Sequence, residues 1–489
     1  MKKAAVVGAG LGGLSAAIRL ALAGFQVEVF EQGTNPGGKA GQRRLGPFRF
    51  DTGPSLLTMA WVWDELFAAA GKRREDYLKI TSLNPVTEYF WQHDRLSAPS
   101  TPEALARAFA DKGWAAEKTT GEWFRHIRGL WELAGPLFLT KSLHDAATWR
   151  SPATWLTLLQ AGRLDSGRTL QQALEATFDD ARIRQFFGRY ATYNGSDPKR
   201  IPATFAMIPW VEFGLGAWAV DEGIHAIPRA LQKLAVELGV TFRFSTPVKA
   251  IVHDHGRVRG VTVQKELLPF DLVVSNAEVQ RTYKLLEAGG KLGQRPLKWK
   301  AKYEKGEPSS SGVVFLWGMD AAFAELGHHN IFFSPDYAAE FQAMFDEGRL
   351  ADDPTVYVNI TSKHTPGDAP PGQENWFVLI NAPHDAGPTR KIGAEALATL
   401  REAVLHRVET NLGREIRSHI VQEQVLSMGE SLYGLASHKA LAAFDRHPNR
   451  APGLKGLCLC GGSVHPGGGM PLAVLSGKIA AELATRDLL

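Results

Sequence analysis

The spacing of apolar residues changes several times along the chain, and each change marks an element. Ala4 to Val7 is a short apolar run, followed by the glycine stretch Gly8–Gly13. Leu14 to Ala23 reads as a helix with few bulky side chains, and Gly24 stops it. A second apolar run, Val27 to Phe30, ends at Glu31. Trp61 to Ala70 places Val62, Leu66, Ala69 and Ala70 at helical spacing, while Val86, Glu88 and Phe90 alternate like a strand. From about Pro102 to Ile208 the pattern is helical: Gly121–Thr140 carries Trp123, Ile127, Leu130, Trp131 and Leu137, and Leu170–Phe187 reads as one amphipathic helix. Glu222–Gly239 is another helix. Val240–Phe244 and Val248–Val252 are strands, and His255-Gly256 is a hairpin turn before the strand Val258–Val263. Phe270 to Ala277 is an apolar strand running into a turn of small residues that includes Asn276. Strands at Gly312–Trp317, Thr355–Ile360 and Trp376–Ile380 and a helix at Gly393–Asn411 follow. The last segment reads as a strand (Gly456–Cys460), a glycine loop (Gly461–Gly469) and a helix (Pro471–Leu483).

Strands alternate with helices, so the fold class is α/β. The pieces able to build a nucleotide-binding sheet are separated in sequence, which predicts interleaved domains. We expect one domain from residues 1–75, 222–285 and 426–489, a second from 76–101, 209–221 and 286–425, and a helical insert over 102–208.

Composition refines this outline. With 489 residues, 44% hydrophobic and 22% charged, the chain can bury a large core. A net charge of +4 without a basic run does not point to a nucleic-acid partner. Cys458 and Cys460 are too close for a good disulfide and have no partners at zinc spacing, so both read as buried apolar groups and no metal is expected. Scarce cysteine suits a reducing cytoplasm. No apolar run approaches the roughly 18 residues of a membrane span, and the first strand begins too early to leave room for a secretory signal.

The chemistry starts at Gly8-Ala9-Gly10-Leu11-Gly12-Gly13. The order strand, glycine turn, helix, strand and acidic residue is that of a dinucleotide site. Gly8 serves the tight turn, Gly10 lets a pyrophosphate approach the backbone, and Gly13 lets the helix pack closely. The helix start offers N–H groups and positive dipole to phosphate. Glu31 is placed to accept from ribose hydroxyls, which disfavours a 2′-phosphate. Two features favour FAD over NAD: Pro36-Gly37-Gly38-Lys39 just past Glu31, and Gly461 to Met470, a glycine loop opening a helix at the far end of the chain.

VVGAGLGGLSAAIRLALAGFQVEVFEQGTNPGGKAG, FDTGPSLLTM, YATYNGSDPKRIPAT, GIHAIPRAL, VVSNAEV and GGSVHPGGGMPLAVLSGK together resemble the bacterial phytoene desaturase family of carotenoid flavoenzymes. DELFAAAGKRREDYL and PLAVLSGK are most similar to the 1-hydroxycarotenoid (hydroxyneurosporene) 3,4-desaturases within it. The resemblance implies a Rossmann-type FAD domain of the glutathione-reductase/amine-oxidase type, interleaved with a mixed-sheet substrate domain. It implies FAD, with Gly8, Ala9, Gly10, Leu11, Gly12, Gly13, Glu31, Gln32, Gly38 and Lys39 on the ADP and pyrophosphate side and Val248 at the adenine. Gly53, Pro54, Ser55, Asn276, Gly462, Gly469 and Met470 are expected at the rest of the cofactor. Lys39 stands where many relatives carry Arg, so a point cation replaces a fork.

Desaturation removes two hydrogens from adjacent carbons, and the flavin carries the hydride step. We expect a long apolar tunnel lined by the insert and by Trp317, Phe332 and Phe333. His465, Asp51 and Glu212 are candidates for a proton-accepting role, none singled out, and His328-His329 reads as structural. Trp131, Phe138, Leu139, Trp149, Trp155 and Leu159, with basic flanks, suit either an interfacial segment that admits an apolar carotenoid from the bilayer or a lid packed on the core. The expected location is cytoplasmic, on the inner face of the cell membrane, with oxygen or a quinone as electron acceptor. Three further readings stay open: a multi-step phytoene desaturase, a carotenoid cis–trans isomerase using reduced flavin, and a non-catalytic flavin-binding protein.

Overall fold

The computed structural model describes residues 1–384, 392–427, 432–439 and 442–488. Its first sheet is parallel throughout and draws on four distant parts of the chain. β1 (Lys3–Val7) leads into α1 (Leu11–Leu22) and β2 (Gln26–Phe30); β3 (Thr241–Arg243), β4 (Leu272–Ser275) and β5 (Leu457–Leu459) complete it. The order β3-β2-β1-β4-β5 reverses direction between β1 and β4. In such a sheet the crevice beyond the carboxyl ends of the two central strands is the ligand site. Here those ends are Val7-Gly8 and Ser275-Asn276, held together by Asn276 N–H donating to the Val7 carbonyl at 2.8 Å.

α1 is almost wholly buried because both of its faces are covered. One face lies on the sheet. Another meets α2 (Met470–Leu488), and Gly477 makes that crossing close: a Cβ there would lie 2.3 Å from the Gly12 carbonyl oxygen. Ser15 Oγ donates across the crossing to the Val474 carbonyl at 2.8 Å. Cys458 and Cys460 are both buried in the core beneath the first sheet, and burial raises both thiols, Cys458 to about 12.

A second, seven-stranded sheet runs in the order Ile420–Ser427, Ser311–Met319, Glu374–Ala382, Val356–Ile360, His329–Phe332, Thr87–Phe90 and Arg95–Ala98. It is antiparallel except where His329–Phe332 pairs with Thr87–Phe90. Trp317, Phe332, Trp376, Val378 and Ile380 pack on one face beneath the helix Ala394–Leu412. The alternate positions therefore point the other way, as the strand period of two requires.

The helical block carries its own core, including Phe109, Trp123, Ile127, Phe186 and Phe187. The single helix expected over Leu170–Phe187 is two, Leu170–Glu175 and Ala181–Gly188. Each has its own cap. Thr169 and Gln172 form a capping box, and the Asp180 carboxylate accepts from the Arg182 N–H at 2.8 Å. A carboxylate placed to start a new helix interrupts the old one. No helix among the described residues is long and apolar enough to cross a membrane.

Candidate functional site

A cavity of about 1130 Å³ runs from the first sheet into the helical block. Gly8, Gly10, Leu11, Gly12, Glu31, Gln32, Gly38, Lys39, Gly53, Pro54, Ser55, Val248, Asn276, Gly462, Gly469 and Met470 all line it. Ala9 and Gly13 do not. The Ala9 N–H is taken up by Glu31 Oε2 at 2.8 Å. Gly13 serves packing, since a Cβ there would stand 2.1 Å from the Gly8 carbonyl oxygen.

The glycine stretches assemble around one another. Gly37 N–H donates to the Ala9 carbonyl at 2.9 Å, which lays Pro36–Lys39 against the first glycine turn. Gly53 backs onto the same segment; its Cβ would fall 1.9 Å from the Lys39 carbonyl oxygen. Gly8, Gly37 and Gly461 have φ of 98°, 120° and 109°, a region that favours glycine. Asn276 sits in the middle of this assembly, its side chain against Gly10, Gly12, Gly13 and Gly461. α1 starts without a side-chain cap, so its first-turn N–H groups are available to an anion. Glu31 Oε1 also accepts from Gly33 N–H at 2.7 Å, which fixes the carboxylate at the cavity wall. Lys39 Nζ is held by Glu278 Oε1 at 3.0 Å and the Leu432 carbonyl at 3.3 Å. A cradle of bare backbone, an uncapped helix start and a fixed carboxylate fits the ADP half of a flavin dinucleotide.

Beyond Gly53 and Gly462 the lining turns apolar and aromatic: Leu56, Trp131, Leu137, Phe138, Trp149, Leu158, Phe205 and Ile208. The second sheet closes this region with Thr87, His329, Ile331, Thr355, Tyr357, Phe377, Leu379 and Asn381. Trp317, Phe332 and Phe333, expected in the tunnel, do not line it. Trp317 and Phe332 occupy the opposite face of the sheet, where Trp317 Nε1 donates to Glu423 at 2.8 Å and Phe332 stacks on Phe90. Phe333 lies past the strand end in the helical core.

The candidate proton acceptors are built into the framework. Asp51 is buried against Arg49 and accepts from Ile224 N–H at 2.9 Å; desolvation raises its carboxyl despite the guanidinium. Glu212 accepts from Tyr190 and Tyr193 hydroxyls, both at 2.8 Å, and pairs with Arg189 at 3.2 Å. Neither carboxylate lines the cavity. His465 is also outside it; its Nε2–H donates to the Lys141 carbonyl at 2.7 Å, and burial lowers the imidazole to about 4. It ties the glycine loop to the end of the helix Glu117–Thr140 and stays neutral. His329, read from sequence as structural, is a wall residue, and Arg189 and Tyr193 join it there. Tyr193 falls in the YATYNGSDPKRIPAT stretch and His329 in the His328-His329 pair, but neither was expected at the cavity wall.

Fold and cradle together define a flavin-dependent oxidoreductase. The chain belongs to the flavin-containing amine oxidoreductase family, whose model matches residues 11–485, and its cofactor is FAD. Among curated relatives, it is 39% identical to the 1-hydroxycarotenoid 3,4-desaturase of a Flavobacterium species, with 99% of each chain covered. It is 33% identical to the hydroxyneurosporene desaturase of Rubrivivax gelatinosus, over 98% of this chain and 92% of that one. Among solved structures, putrescine oxidase bound to putrescine superposes with a TM-score of 0.63 at 14% identity, covering 100% of this chain and 98% of that one. An oxidoreductase from Methanosarcina mazei gives 0.64 at 18% identity, covering 98% and 100%. These two share the fold.

Proposed function

We propose that this protein is an FAD-dependent desaturase that introduces the 3,4 double bond into an acyclic 1-hydroxycarotenoid. The observation that carries the reading is a continuous cavity, nucleotide-cradling at one end and largely apolar over the remainder, in a chain 39% identical to a 1-hydroxycarotenoid 3,4-desaturase. Gly8, Gly10, Leu11, Gly12, Glu31, Gln32, Gly38, Lys39 and Val248 hold the ADP half; Gly53, Pro54, Ser55, Asn276, Gly462, Gly469 and Met470 flank the ring. FAD, when bound, supplies the hydride acceptor. The apolar walls strip water from the polyene and hold it extended, which sets the reacting carbons in place. The glycine loop Gly461–Gly469, at the start of α2, directs backbone dipole at the ring. Asp51, Glu212 and His465 act as structural groups. The nucleotide sheet and the segments 1–75, 222–285 and 426–489 form the FAD domain; 76–101, 209–221 and 286–425 form the substrate domain.

The insert 102–208 works at the cytoplasmic face of the membrane. On the helix Pro152–Leu159, Leu158 lines the cavity while Trp155, Leu156 and Leu159 are 59%, 62% and 82% exposed. One short helix thus spans from the substrate space to an outer apolar patch, with Arg150 and Arg163 near its ends. This supports delivery of substrate from lipid. Trp149 is a wall residue whose Nε1 donates to Leu143, so the patch rests on the three exposed residues. Oxygen or a membrane quinone removes the electrons.

The test is incubation of the FAD-loaded protein with hydroxyneurosporene and, separately, with phytoene, reading product absorption. One added conjugated double bond from hydroxyneurosporene is the expected result. A lengthened chromophore from phytoene alone overturns the reading, and altered geometry without a new double bond assigns an isomerase.

A further inference from the structure

The cavity wall carries a charge that nothing in the protein balances. Arg446 follows the short helix Ala442–Asp445, is 5% exposed, and lines the cavity. His465 N–H donates to the His447 carbonyl at 3.0 Å, which lays Arg446 alongside the glycine loop Gly461–Gly469. The loop is shaped to it. A Cβ on Gly467 would stand 2.8 Å from Arg446 Cζ, and one on Gly468 2.5 Å from Tyr433 Cδ1. The guanidinium donates through one terminal nitrogen to the Tyr433 carbonyl at 3.2 Å and through the other to Ser437 Oγ at 3.3 Å. Tyr433 and Ser437 line the cavity too. Its Nε–H has no acceptor among the described residues, and that nitrogen is not sealed from open space. None of these contacts is ionic. Burial lowers the guanidinium from its ordinary value, with Tyr303 acting the other way, and an arginine stays protonated in a protein. Burial also lifts the Tyr303 hydroxyl above its usual range and lowers the His465 imidazole to about 4, so both neighbours are neutral. The other cations of the lining are provided for: Arg189 pairs with Glu212, Lys39 with Glu278, and Arg281 is exposed. A buried charge is ordinarily paired, so this one marks where the negative charge of a ligand belongs.

The chemistry narrows the ligand. A carotenoid is uncharged. The pyrophosphate of FAD has its own place at the uncapped start of α1. The flavin ring is neutral when oxidised. Accepting a hydride adds two electrons and one proton, which leaves the ring with one negative charge unless it takes up a second proton. Gly462, Gly469 and Met470 flank the ring in the reading above, and Gly467, which packs on the guanidinium, belongs to the same loop. Arg446 is therefore at the ring end of the cavity.

We propose that Arg446 is the fixed counter-charge of the reduced flavin ring, keeping that ring anionic and raising the potential of the bound cofactor. The proposal rests on the ring position given by the desaturase reading. Its test is the midpoint potential of the FAD-loaded full chain, measured without carotenoid. Arg446→Met weakens the preference for the reduced cofactor about tenfold or more, which for a two-electron couple is a fall of about 30 mV. Arg446→Lys, a point cation in place of the fork, recovers part of it. Arg446→Gln stands in should Arg446→Met fail to hold FAD. An unchanged potential in an FAD-replete neutral variant, with or without weaker FAD binding, overturns the proposal. Where neither neutral variant holds FAD, the wild type decides. Near about pH 6 its potential falls by about 30 mV per pH unit, one proton for two electrons, whereas a fall of about 60 mV, two protons, overturns the proposal. Turnover of hydroxyneurosporene by the wild type is followed separately. A protein that desaturates no carotenoid overturns the reading of the reaction and leaves the potentials to decide the role of Arg446; turnover with unchanged potentials overturns the counter-charge alone.

Discussion

Individual side chains, or their absence, set the limits of this site. At Gly10, in the cradle proposed for the pyrophosphate, a Cβ would stand 2.6 Å from Asn276 Nδ2. Gly10→Ala is therefore expected to lower FAD content at least about tenfold, measured as the flavin-to-protein absorbance ratio after purification. Glu340 is a buried acid that accepts from the Thr355 N–H at 3.0 Å. Desolvation lifts its carboxyl from 4.5 to about 7. The native state therefore keeps a proton that the unfolded chain releases between these values, and stability falls as pH rises through that window. Glu340→Gln removes this dependence: its Tm gain over wild type is larger at pH 8 than at pH 5, by roughly 2 °C or more. Equal gains at both pH values would contradict the assignment.

Among the elements, those with strong periodicity were legible from sequence and those set by remote partners were not. β1, α1 and β2 could be placed because the glycine turn and the two apolar runs are local. The hairpin at His255-Gly256 was readable for the same reason; both residues have positive φ. The break between Leu170–Glu175 and Ala181–Gly188 was hidden, since a cap and a helical turn share the same residues. Which face of a strand meets the cavity was also hidden. Trp317 and Phe332 are aromatic and central, but a period of two puts them on the far face, and only the sheet's docking decides which face is near. His329 shows the same ambiguity from the other side. Gly477 was visible only as a small residue in a C-terminal helix. Its role as the contact point of α1 and α2 makes Gly477→Ala costly, about 1–3 kcal/mol; a lowered Tm together with weaker FAD retention is the expected outcome.

On the scale of the whole molecule, the cavity joins a nucleotide cradle to an exposed apolar helix. Changing Trp155, Leu156 and Leu159 together to serine is expected to reduce partitioning onto liposomes at least about tenfold, read by flotation, without loss of FAD. Undiminished flotation would assign these residues to a lid. The helices α1 and α2 that meet at the cradle come from distant parts of the chain, and Ser15 Oγ donates to a carbonyl 459 positions away. Such a pairing is slow to form, because the loop it closes spans 459 positions. Both partners of that closure, the start of α1 and the start of α2, line the cavity proposed for FAD. The cofactor is thus expected to act as a clasp in biogenesis: chains made under flavin starvation would expose the α1–α2 seam to proteolysis, while those that bind FAD early would be shielded before any substrate arrives.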